Sequence, residues 1–224
     1  MKLWVMFPSA NSHGPLAVVN ALGRDDIEIV DAYGKTREDE YLKKNPCHVA
    51  PMLEFDDGTC VWESNAIMRY LCNSGGMMGH QLYPSDLKKR AMIDMVMDWR
   101  QANFYPCLPE IGYIVFGIPM PDDVAQKKFK DLMENHFKVL TDCFLKNTKF
   151  CFSNTPTIAD LAVAPALTFI KARSKFWDAV PQKVKDYQKA VLEAFPDTAE
   201  TFAILDGMAT GFDGDGADLD PALE

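Results

Sequence analysis

Long apolar runs, paired cysteines and an excess of basic charge are all missing from this chain of 224 residues. No stretch approaches about 18 consecutive apolar residues, so no membrane-spanning helix is expected. The opening "MKLWVMFPSANS" has too short an apolar stretch for a secretory leader and lacks an Arg-rich amphipathic pattern. A cytoplasmic protein is expected. Six cysteines, at 47, 60, 72, 107, 143 and 151, include no C-x-x-C pair. That argues against a structural zinc site or a C-x-x-C redox centre, and reduced, mostly buried thiols are expected. Lys and Arg number 23 against 32 Asp and Glu, a net charge of −9. A nucleic acid or an anionic membrane needs a basic surface, so neither is an expected partner.

The acidic excess is uneven. Asp206, Asp213, Asp215, Asp218, Asp220 and Glu224 follow residue 205 with no Lys or Arg among them, and setting those six aside brings −9 to −3. "DGDGADLD" (213–220) has some of the spacing of a calcium loop. Its fifth position is Ala217, and no helix can follow Glu224, so an acidic, mobile tail over 207–224 is the expectation.

What is present divides at about residue 75. The first part reads as mixed α/β: a strand over 2–7, a helix starting near Pro15 and stopping at Gly23, and alternation in "DIEIVD" (26–31). "TREDEYLKKN" (36–45) reads as a short helix. "PMLEF" and "TCVW" read as strands joined by Asp57-Gly58, and "ESNAIMRYLC" (63–72) as a helix. Residues 76–84 form a glycine-rich linker. From 85 to 206 only helical spacing is visible, over 86–105, 122–145, 157–172 and 181–194.

Three local patterns bear on chemistry. In "NPCHVAPML" (45–53), Pro51 opens a strand after Ala50, a position where a cis bond would turn the neighbouring backbone groups outward. Glu63-Ser64 stands at the start of a helix. Ser64 there is a natural cap, and the free N–H groups beside it also suit a carboxylate, while Glu63 suits an ammonium group. Thr157 and Asp160 in "TIAD" form a capping box with a structural role, worth about 1 kcal/mol at Thr157.

"NPxHxxPxL", "WESxAIxxYL", "LYP" and "TIADLA", in this order of elements, resemble the cytosolic glutathione transferase family, nearest its serine-type theta, delta and phi-like branches. The resemblance runs from residue 1 to about 205. It implies a thioredoxin-like N-terminal domain (1–75) that binds glutathione and an all-helical C-terminal domain (85–206) that shapes the site for a hydrophobic electrophile. It implies a homodimer, glutathione as co-substrate, no metal, and detoxifying conjugation or peroxide reduction. His48, Ala50, Pro51, Glu63, Ser64 and Asn65 match glutathione-contacting positions.

The thiol-activating hydroxyl of serine-type relatives lies six residues before a valine, which here points from Val18 to Ser12. Asn11 is the rival, and Ser9 and His13 count as bystanders. No Cys stands at this turn, which disfavours thiol–disulfide exchange. Phe104, Tyr113 and Phe116 are candidates for the acceptor pocket, with Trp99 a core residue. The same fold also serves as a non-catalytic interaction module, and that is the alternative reading.

Overall fold

The computed structural model describes residues 1–212. Four short strands make one sheet: β1 (Lys2–Val5), β2 (Glu28–Asp31), β3 (Met52–Glu54) and β4 (Cys60–Trp62), in the order β2-β1-β3-β4. β1 runs parallel to β2 and antiparallel to β3, and β3 is antiparallel to β4. The parallel pair needs a crossover, supplied by α1 (Ala10–Ala21). Leu3 and Val5 point from β1 into the main core at 0% exposure. Trp4 points the other way, towards Tyr41 and Met52 under α2 (Asp39–Lys44). β2 is an exposed edge rather than the half-buried strand its alternation predicts. Gly58 sits at φ +84° in the turn between β3 and β4.

α1 begins five residues earlier than the sequence suggests. Ser9 is its N-cap, and Pro15 lies inside the helix. Pro15 therefore forgoes the bond to the Asn11 carbonyl and fixes φ at a helical value. Gly14 lets this helix dock closely: a Cβ there would lie 2.7 Å from the Met68 sulfur and 3.2 Å from the Leu161 carbonyl. Met68 belongs to α3 (Ser64–Ser74) and Leu161 to α8 (Ile158–Val163). α1 thus packs against both domains.

The glycine-rich linker is not extended chain. Residues 76–82 form α4 (Gly76–Leu82). After it come α5 (Leu87–Trp99), α6 (Leu108–Gly112), α7 (Asp122–Asp131), α8, α9 (Ser174–Ala179), α10 (Gln182–Glu193) and α11 (Ala199–Thr210). α5 runs straight into a π-helical turn at Arg100–Phe104, and α7 into another at Leu132–His136. Residues 207–210, expected in the tail, complete α11. The acidic segment from 213, with its calcium-loop pattern, lies outside the described residues. One apolar cluster runs from Leu3 and Val5 through α1 and α3 to Phe202 and Leu205.

Candidate functional site

Two helix N-termini and one loop converge at the end of the sheet. The loop carries a cis bond between Ala50 and Pro51. It is held from behind: the Val49 carbonyl accepts bonds from the Tyr41 hydroxyl (2.6 Å) and the Asn45 amide (2.8 Å). Asn45 is buried. His48 is exposed at φ +47°, so its ring is directed by a left-handed backbone.

α3 starts at Ser64 without a side chain capping it. Its N-cap, Glu63, is held at φ +78°, a region uncommon for a residue with a Cβ. Strain of this kind costs of order 1–3 kcal/mol and concentrates at binding sites. It leaves the Glu63 side chain exposed and the Ser64 hydroxyl at a bare N-terminus. The orphan N–H groups and the helix dipole favour an anion there. Asn65 is placed differently from expectation. Its Nδ2 donates to the Met97 carbonyl of α5 at 3.3 Å, and its Oδ1 is buried without a partner. It braces α3 against the helical domain and does not face the Glu63–Ser64 corner with its amide nitrogen.

The first loop also differs from expectation. Ser12 is at 0% exposure inside α1, and its Oγ accepts the Met6 N–H at 3.1 Å. The helix start at Ala10 places it inside the first turn of α1, away from solvent. Ser9 is the residue left at the helix tip. It is half-buried, extended (φ −97°, ψ 117°), and its hydroxyl makes no capping bond. The count of six residues back from Val18, taken from the resemblance to serine-type relatives, points past it to Ser12. A Ser directly before a run of helical residues is the N-cap signal that finds it.

Asn11 is tied to the helical domain. Its Oδ1 accepts from the Arg100 guanidinium (2.6 Å) and its Nδ2 donates to the Tyr105 hydroxyl (2.9 Å), which lies 2.9 Å from that of Tyr113. Arg100 can only donate, so the orientation of the Asn11 amide is fixed. The guanidinium lies flat over the Tyr105 ring at 3.9 Å. It is 1% exposed and also donates to the Ala162 carbonyl and to Gln101. Burial lowers its pKa to about 10, which still leaves it charged at neutral pH. Burial, then Tyr105, push the Tyr113 hydroxyl well above its ordinary value, so it keeps its proton. Sequence reasoning had no signal for Arg100 or Tyr105, whose roles depend on the domain contact.

The acceptor candidates divide. Tyr113 and Phe116 are half-buried and meet edge to face at 5.5 Å. Phe104 is 0% exposed and stacks on Trp99 at 5.2 Å. Its place in the π turn directs it inward, so it belongs to the core. Trp99 packs against that core, as expected.

A mixed sheet with a proline-loop and a bare helix N-terminus, backed by a helical domain, defines a thioredoxin-like transferase fold. Residues 1–73 match the family "Glutathione S-transferase, N-terminal domain", and residues 118–196 match "Glutathione S-transferase, C-terminal domain". The chain belongs to the glutathione S-transferase family. It is 34% identical over 111 residues to "Glutathione S-transferase 1" of Manduca sexta, a match spanning 48% of this chain and 50% of that protein. It is 28% identical over 208 residues to "Glutathione S-transferase T1" of Arabidopsis thaliana, spanning 85% of this chain and 83% of that one. The structure of an epsilon-class glutathione S-transferase from the housefly, Musca domestica, superposes with a TM-score of 0.76 at 28% identity, covering 96% of this chain and 99% of that one. By family the chain is a transferase that conjugates glutathione. No helix among the described residues is long and apolar enough to cross a membrane.

Proposed function

We propose that this chain binds glutathione along Ala50–Pro51 and the N-terminus of α3, and uses the Ser9 hydroxyl to hold its sulfur as a thiolate. The carrying observation is the pair of uncapped helix tips, at Ser9 and at Ser64, at the same end of the sheet as the Ala50–Pro51 loop. Ser64 and the first amides of α3 receive the γ-glutamyl carboxylate, and Glu63 receives its ammonium group. His48 lies beside the cysteinyl–glycyl end. Ser9 replaces Ser12 as the donor because its hydroxyl is free at the surface. A free thiol has a pKa near 8.5. One hydrogen bond plus the N-terminal field of α1 lowers it by about one to two units, each worth about 1.4 kcal/mol.

Asn11 serves as a positioning residue. Its amide donates to Tyr105, which passes its own proton towards Tyr113. The Tyr113 proton is then directed at the acceptor, beside Phe116. Conjugation with a small hydrophobic electrophile, and peroxide reduction, are the chemistries this arrangement supports. The protein acts in detoxification in the cytoplasm as a homodimer. α3 and α5 are joined by Arg69 and Asp94 at 2.8 Å, and each leaves a large apolar side chain exposed, Tyr70 and Met95, that a second copy would cover.

The test is isothermal titration with glutathione followed by turnover of an aryl halide. Binding is expected, with a Ser9→Ala turnover at least about tenfold below wild type, one hydrogen bond's worth. Binding without turnover in the wild type favours the non-catalytic module. A Ser12→Ala variant of unchanged thermal stability that loses activity while Ser9→Ala retains it restores Ser12.

A further inference from the structure

Behind the acceptor segment, three side chains from three separate elements bring their donor atoms together. Cys107 precedes α6, Asp131 ends α7, and His136 ends the π turn that follows it. The Cys107 Sγ lies 3.5 Å from Asp131 Oδ2, and His136 Nε2 lies 3.5 Å from the same oxygen. All three donor atoms lie within 4.8 Å of one another, and this is the group of metal-ligating residues found among the described residues. A tetrahedral zinc, with bonds of about 2.0–2.3 Å, sets ligand-to-ligand edges of about 3.3–3.7 Å. Two of the three edges already have that length.

The local backbone explains the meeting. His136 lies five positions after Asp131. On a regular α-helix that spacing turns two side chains about 140° apart. The π turn at Leu132–His136, bonded i to i+5, returns them to one side. The surroundings then orient each ligand. Asp131 Oδ1 accepts from Asn135 Nδ2 at 2.7 Å, leaving Oδ2 for the centre. The His136 ring stands edge-on to Trp99 (6.0 Å) and Phe104 (6.5 Å), which restricts its rotation. Partners of this kind hold ligands in the geometry a metal needs. Cys107 is buried, whereas Asp131 and His136 are half-buried, so the cluster has an inner and an outer side.

We propose that Cys107, Asp131 and His136 form a binding site for a divalent cation of the zinc class, with water completing the tetrahedron on the outer side. The sulfur, imidazole and carboxylate set selects zinc or cadmium over calcium and magnesium, which take oxygen ligands. On binding, the Cys107 S–H bond breaks and a sulfur–metal bond forms. The thiol proton passes to solvent, and the ion gives up water molecules to the three side chains. No electron transfer is involved. Cys107 lies two residues after Tyr105 and six before Tyr113, so the ion pins the acceptor segment to the end of α7 and the π turn that follows it. The site does not depend on the glutathione reading, because its ligands take no part in that corner.

The test is a calorimetric titration of the full chain, reduced and free of chelator, with zinc chloride. Saturation at one zinc per chain is expected, with close to one proton released, read by repeating the titration in buffers of different ionisation enthalpy. Cys107→Ser, Asp131→Asn and His136→Gln should each weaken binding by about tenfold or more. His80→Gln, outside the cluster, should bind as wild type does. Cobalt(II) should give a thiolate charge-transfer band that Cys107→Ser abolishes. Because Cys107 is buried, the half-exposed Asp131→Asn, checked for an unchanged far-ultraviolet spectrum, keeps the test independent of folding. A wild-type chain that takes up no zinc, or any of the three variants binding as tightly as wild type, overturns the proposal.

Discussion

His13 shows how far one side chain can be taken from its solution behaviour. Its Nε2 donates to the Phe7 carbonyl at 2.8 Å, and its ring meets Phe202 edge to face at 5.3 Å. Burial lowers its pKa to about 4, outweighing the opposing bond to Phe7. Near neutral pH it is therefore an uncharged link between the first loop and α11, and it takes no proton from substrate. The unfolded chain titrates near 6.5 and the native chain near 4, so between those values the unfolded state binds the extra proton. The stability His13 contributes is present above about 6.5 and lost as pH falls towards 4. Between pH 7 and pH 4.5 that loss is about 2 kcal/mol. Denaturant titrations of wild type and His13→Gln at the two pH values should differ by about that amount, and equal pH slopes would refute the assignment. Nothing in the sequence separated His13 from a surface histidine, because its burial depends on α11 some 190 residues away. Ser9 and Ser12 show the same limit more sharply. Both are small polar residues in one loop, and a helix start displaced by five positions exchanged which of them reaches the surface. The cis bond before Pro51 and the helix start at Glu63–Ser64 were legible because local backbone geometry sets them.

At the scale of elements, α8 is held by a carboxylate. Asp160 is 0% exposed and accepts from the Thr157 N–H (2.8 Å), the Thr157 hydroxyl (3.1 Å), the Cys151 N–H (2.8 Å) and the Tyr187 hydroxyl (3.0 Å). Burial raises its pKa while these donors hold it down. The capping box was readable in "TIAD", but of these bonds it implies only the one from the Thr157 N–H. The loop at Cys151 and helix α10 join through the fold. Losing the Thr157 side chain costs one cap, about 1 kcal/mol. Losing the Asp160 carboxylate leaves two buried N–H groups unpaired, each at about 1–3 kcal/mol, and leaves the Tyr187 hydroxyl only the Cys151 sulfur at 3.5 Å. Asp160→Ala should therefore be destabilised by at least about 3 kcal/mol, and by clearly more than Thr157→Ala, in the denaturation midpoint. Equal losses would mean the carboxylate does no more than cap. The π turns were not legible at all. Residues 86–105 and 122–145 read as plain helix, since the apolar period does not register one inserted residue. That residue is what turns Phe104 inward and brings His136 to Asp131.

For the whole molecule, composition suggests two units with a boundary near residue 75, and the packing argues that they fold as one. α1 belongs by sequence to the first unit, yet at Gly14 it lies against both α3 and α8. Asn20, near its end, donates to the Asp197 carbonyl (3.0 Å) and to Thr198 Oγ1 (3.2 Å). Asn11 and Arg100 close the same interface at its start. The apolar cluster continues from β1 to α11 without a break. Removing the helical part would uncover part of α1, whose Leu16, Val18 and Val19 are each at most 4% exposed. A side chain of that size costs about 1.5–3 kcal/mol to uncover, so the interface outweighs any tendency of the halves to separate. Heat or denaturant should give one transition. Signals from Trp4 and Trp62 in the sheet and from Trp99 and Trp177 in the helices, read in variants that keep one pair, should coincide. Glutathione at about 100 times its dissociation constant should move both signals together by about 2.7 kcal/mol. Two separate transitions, or a ligand shift confined to the sheet's tryptophans, would show that the boundary in composition is also a boundary in folding.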